Sequence, residues 1–86
     1  MNSTGINELV ITVTPNPTVH EFKMSVKTPV QQKITIRIHD LEGKLLNTMK
    51  MAPGETIQFG SALKSGAYIV EVQQGDQRSI QRLVKL

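Results

Sequence analysis

The chain has 86 residues, with no cysteine, no tryptophan, three aromatics in all and a formal net charge of +3. A chain this short makes one domain with a thin stability margin, since it buries only ~60–65% of its unfolded surface, and without thiols it has neither disulfides nor thiolate metal sites. No apolar run approaches the ~20 residues of a membrane-spanning helix, and the opening MNSTGINE lacks the basic and apolar regions of a secretory leader, so the chain is expected to be cytosolic or to be cut from something longer.

From Leu9 onward the apolar residues alternate with period two, the signature of half-buried strands. Leu9, Ile11 and Val13 share one face. Pro15-Asn16-Pro17 then breaks the pattern: both prolines fix φ near about −65° and lack an N–H donor, and each pushes its predecessor, Thr14 or Asn16, into extended geometry. This corner is expected to be stiff and unpaired, with Asn16 bonding nearby backbone, and to lead into a strand of the other sheet. In His20–Lys27, Phe22, Met24 and Val26 face one way. Ile34, Ile36 and Ile38 alternate with Lys33, Thr35, Arg37 and His39. Lys44–Met51 is weaker, with Leu45, Met49 and Met51 in one phase and Leu46 beside them. Glu55–Phe59 places Ile57 and Phe59 together. In Ala67–Gln73, Tyr68, Val70 and Val72 are in phase. Arg78–Leu86 reads with Ile80, Val84 and Leu86 on one face, interrupted by Arg82.

The joints are turn chemistry. Asp40-Leu41-Glu42-Gly43 suits a type I turn with Gly43 free to take positive φ, and Pro53-Gly54 suits the centre of a type II turn. Ser65-Gly66 ends a short link, and Gly75-Asp76 suits a two-residue hairpin. About seven short strands without a long helix argue for an all-β, antiparallel sandwich, with apolar faces packed together and polar faces in water; a partly closed barrel is the other arrangement this pattern allows. Phe22, Met24, Val26, Ile34, Ile36, Ile38, Tyr68, Val70 and Val72 are its expected core.

Charge is unevenly placed. Residues 1–76 hold seven Lys or Arg and seven Asp or Glu, whereas the last ten residues hold Arg78, Arg82 and Lys85 and no acid. Such a strand either faces an anionic partner or is a solvated edge whose cations deter pairing. Elsewhere the basic residues are dispersed and no aromatic cluster offers a stacking platform, which disfavours nucleic acid.

No arrangement for catalysis emerges. No serine sits in a Gly-x-Ser-x-Gly elbow. His20 and His39 neighbour Glu21 and Asp40, but adjacent strand residues point to opposite faces, so neither acid orients its histidine as a base. Two histidines without cysteine make a poor zinc set, and the acids lack calcium-loop spacing. No glycine loop for phosphates or dinucleotides is present. Tyr68 is expected at the rim of the core with its hydroxyl on a backbone partner. Neither cofactor nor metal is expected.

In order along the chain, TGINE, ITVTPNPT, ITIRIHDLEGKLL, APGE, LKSGAYIVEV and LVKL resemble the C-terminal sorting domains of type IX secretion cargo, and among these the type A class. Thr14 stands where that pattern usually has an aromatic residue. The resemblance implies an immunoglobulin-like sandwich over residues 8–86, preceded by a linker, residues 1–7, from an upstream cargo domain. It implies an address rather than an enzyme: a tail recognised by the type IX translocon after passage through the periplasm, then removed by a cell-surface sortase, leaving cargo at the surface or outside the cell. Cleavage would fall in or before the polar segment Asn2–Asn7. Pro15, Asn16, Pro17, Gly43, Gly54, Gly66 and Tyr68 are then its structural signature, and Arg82, Leu83, Val84, Lys85 and Leu86 its recognition segment. That segment would act either because Val84 and Leu86 fill the core or because Arg82 and Lys85 touch the machinery. The other reading is a generic adhesive or carbohydrate-associated sandwich module, since a fold of this kind hosts many functions. A sugar site needs an exposed aromatic platform, and Phe22, Phe59 and Tyr68 all lie in apolar phase.

Overall fold

The computed structural model describes residues 9–86, so the expected linker, residues 1–7, lies outside the described residues. Seven strands follow in chain order: β1 (Val10–Thr14), β2 (Phe22–Lys27), β3 (Ile34–Asp40), β4 (Leu45–Met51), β5 (Thr56–Phe59), β6 (Gly66–Gln74) and β7 (Gln77–Lys85). They form a three-stranded sheet in the order β1-β2-β5 and a four-stranded sheet in the order β4-β3-β6-β7. All named strand pairs are antiparallel. This is the expected immunoglobulin-like sandwich, in the variant whose fourth strand lies beside the third rather than in the sheet of the first two.

The core follows the period-two pattern. Phe22, Met24, Ile34, Ile36, Val70 and Val72 are fully buried, and Val26, Ile38 and Tyr68 nearly so. Val13, Met51, Phe59 and Leu83 complete one cluster drawn from both sheets. Phe22 and Phe59, opposite each other in register, stack at 5.4 Å between ring centroids.

The corner and β4 depart from the sequence reading. The corner does not carry the chain to the other sheet: β1 and β2 pair with each other, from Val10↔Lys27 to Thr14↔Lys23. In β4, Ile38 lies opposite Asn47 but His39 opposite Leu45, so Leu46 is an extra residue in the ladder. This bulge moves Leu45 out of phase with Met49 and Met51. Met51 is buried and Met49 packs on the core, while Leu45 and Leu46 are exposed.

The turns hold as expected. Gly43 N–H donates to Asp40 O, and the Asp40 carboxylate accepts from Glu42 N and Lys44 N. Glu55 N donates to Ala52 O across Pro53-Gly54. Gly43 and Gly54 sit at φ of +90° and +84°, a region costly for residues with a Cβ. Gly66 opens β6, and Gly75-Asp76 joins β6 to β7 with Gln74 opposite Gln77.

Candidate functional site at the C-terminal strand

The facing of β7 is set by β6. Residues directly opposite in an antiparallel pair share a face, and Tyr68, Val70 and Val72 point inward. Their partners are Leu83, Gln81 and Ser79, so the odd-numbered residues of β7 face the core. Leu83 is fully buried. Val84 is only partly covered, and Ile80 and Leu86 are exposed at 59% and 63%. The expectation that Ile80, Val84 and Leu86 share the core face is therefore corrected: three apolar residues in the even phase outnumbered Leu83, but the hairpin fixes the odd phase inward. The signal was in the sequence, because a two-residue loop at Gly75-Asp76 already aligns Gln77 with Gln74 and hence Leu83 with Tyr68.

Lys85 needs a second correction. It is 6% exposed, and its ammonium donates to Gly60 O at 2.6 Å and Ser61 O at 3.4 Å. These carbonyls follow β5, a strand of the other sheet. Lys85 thus ties β7 across the sandwich and is not a surface cation. Burial of the stem with the charge on carbonyl acceptors satisfies a group that is otherwise expensive to enclose.

The corner supplies the other fastening. Asn16 Nδ2 donates to Arg82 O at 2.9 Å, and Asn16 Oδ1 accepts from Val84 N at 3.0 Å. Thr18 N donates to Val84 O, and Leu86 N donates to Thr18 O at 2.8 Å, forming a parallel bridge between Thr18 and Lys85. The corner therefore pairs after all, through Asn16 and Thr18 and with a strand 66 positions away rather than with nearby backbone. The prolines remove N–H donors only from positions 15 and 17, leaving the Asn16 amide and Thr18 to do the bonding. Thr18 is 5% exposed, with its hydroxyl donating to Glu21 O. The sequence reading missed Thr18 and Gln74, since no local pattern marks either. Gln74 is 3% exposed, accepting from Thr28 Oγ1 and donating to Val30 O and Gln32 O.

The outer face of the four-stranded sheet carries the charge. Glu71 receives Arg78 Nη1 at 3.3 Å and lies 3.4 Å from His39 Nε2, and Arg37 donates to Gln73. Arg82 is exposed, and among the described residues it has no ion-pair partner. His39 thus meets Glu71 rather than the neighbouring Asp40, and His20 lies at a bend bonded through its backbone N–H to Thr18 Oγ1. Tyr68 donates its hydroxyl to Lys64 O at 2.6 Å. All three aromatic side chains of the protein are buried, so none offers a flat platform to a sugar. Among the described residues, no three His, Cys, Asp or Glu side chains are grouped to hold a metal ion.

A family model described as "Secretion system C-terminal sorting domain" matches residues 12–86. No curated protein matches the chain.

Proposed function

The chain belongs to the secretion system C-terminal sorting domain family, and from that premise we propose that the export machinery reads the folded sandwich on the outward side of β7. Membership makes the chain a type IX sorting signal that engages this machinery, on a secreted protein bound for the cell surface or the extracellular space. In the proposed division of labour, Arg82, Val84 and Leu86 make the contact, while Leu83 and Lys85 hold the strand from behind. The observation that supports it is the fastening of Arg82–Leu86 by Asn16 and Thr18, which fixes the backbone while Arg82 and Leu86 stay exposed.

On this reading the domain is an address of the type A class and a sortase substrate rather than a catalyst. It crosses the periplasm before recognition by the translocon, and the polar segment Asn2–Asn7 joins it to an upstream cargo domain, with cleavage in or before that segment.

The test is export of a reporter fused ahead of the domain in a bacterium with this secretion system. Arg82→Gln alters an exposed side chain and should leave the melting temperature within the range of ordinary surface substitutions, yet export should fall. Deletion of Leu83–Leu86 should unfold the sandwich and abolish export. Normal export of a folded Arg82→Gln fusion would move recognition off this strand.

A further inference from the structure

The outer edge of β7 is closed along one half and open along the other. The N–H and C=O of Val84, the N–H of Leu86 and the C=O of Arg82 point away from β6 and are bonded by Asn16 and Thr18. The β6–β7 register runs without a shift from Gln74↔Gln77 to Gly66↔Lys85, and in an antiparallel strand the residues that bond one neighbour alternate with those that face the other side. The backbone groups of Arg78 and Ile80, and the N–H of Arg82, therefore point outward as well. Among the described residues they meet no backbone partner.

The side chains along this open stretch are Arg78, Ile80 and Arg82 on the solvent face, with Ile80 59% exposed. An unpaired edge with an exposed isoleucine is a template for another strand. Two flanking arginines repel cationic strands and favour acidic ones, which makes the edge selective rather than adhesive. Glu71, opposite Ile80, pairs with Arg78 through Oε2, so the unpaired charge of the edge is that of Arg82, which has no ion-pair partner among the described residues. The Arg78 guanidinium keeps further donors free.

We propose that the open edge Arg78–Arg82 accepts a short extended segment of a partner protein as an added strand carrying the pattern acid–x–apolar–x–acid. Side chains two apart share a face, so this spacing sets the two acids against Arg78 and Arg82 and the apolar residue against Ile80. The added strand abuts Asn16, which already occupies Arg82 O, so the corner fixes where the segment stops and hence its register. Main-chain bonds supply affinity and the alternate side chains specificity. That the partner is a component of the export machinery rests on the sorting reading; the pairing itself does not.

The probe is a capped peptide, Thr-Glu-Thr-Val-Thr-Glu-Thr, titrated into the 86-residue chain and followed by backbone amide resonances. The expected result is saturable shifts centred on Arg78, Ile80 and Arg82, with slowed exchange of their amides. Lysine in place of both glutamates should abolish binding, and Arg78→Gln/Arg82→Gln should weaken it by about tenfold. Ile80→Thr, which keeps both charges, should also weaken it, so the result does not depend on one variant's folding. No saturable shift up to millimolar peptide, equal binding of the lysine peptide, or shifts centred on β4 would overturn the proposal. So would binding to phosphatidylglycerol vesicles through the same arginines by a domain that ignores the peptide. Export of the unaltered fusion is scored separately and decides the sorting reading alone.

Discussion

At Lys85 a long cationic side chain turns inward because carbonyl oxygens of Gly60 and Ser61 lie within reach of its ammonium. Removing it takes the ammonium from those acceptors and loses the packing of the stem, whereas Arg82, three positions earlier, projects into water. Lys85→Ala should therefore destabilise the domain by about 1–3 kcal/mol, the cost of buried polar groups left without a partner. Arg82→Gln should stay within about 0.5 kcal/mol, as surface changes do. Urea unfolding of the two variants checks the contrast; equal effects would place the Lys85 ammonium in solvent. Neither role is readable from residue type, because lysine and arginine carry the same charge and sit in the same basic run. Asn16 is similar: its position between prolines marks it as unable to extend a strand, but not that its amide would stand in for a backbone peptide beside β7.

At the scale of elements, β7 is one strand with two kinds of outer edge. Val84 N and Leu86 N are bonded to the corner, while Arg78 N and Ile80 N point outward without a backbone partner among the described residues. Native-state amide exchange should therefore be slow at Val84 and Leu86 and fast at Arg78 and Ile80, against the usual expectation that a chain end frays first. Uniform protection along β7 would mean that something else covers the open half. The two-residue hairpin at Gly75-Asp76 fixes which face of β7 is buried, and that arithmetic overrides a count of apolar residues. In β4 the same counting fails for another reason. The extra residue, Leu46, shifts the ladder, and a bulge in an edge strand leaves no trace in periodicity beyond two adjacent leucines.

For the molecule as a whole, one aliphatic core joins the two sheets, and Ile36 lies in its middle, fully buried and opposite both Met49 and Val72. Ile36→Ala should cost about 2–5 kcal/mol, a large share of the stability of so small a domain. Thermal melting checks this, and an unchanged midpoint would contradict the core assignment. Period-two alternation, turn residues at Gly43 and Gly54, and the lack of any helical stretch were enough to determine seven strands, their inward faces in β2, β3 and β6, and the sandwich. These features are local, since burial of one face and the φ demanded by a turn act on neighbouring residues. Strand order, the partnership of β1 with β2, the parallel bridge from Thr18 to Lys85 and the inward turn of Lys85 were decided only by the tertiary structure. Each depends on groups from separate segments of the chain meeting at a distance of one hydrogen bond, and a sequence pattern carries no record of which carbonyl or amide of another segment will be there.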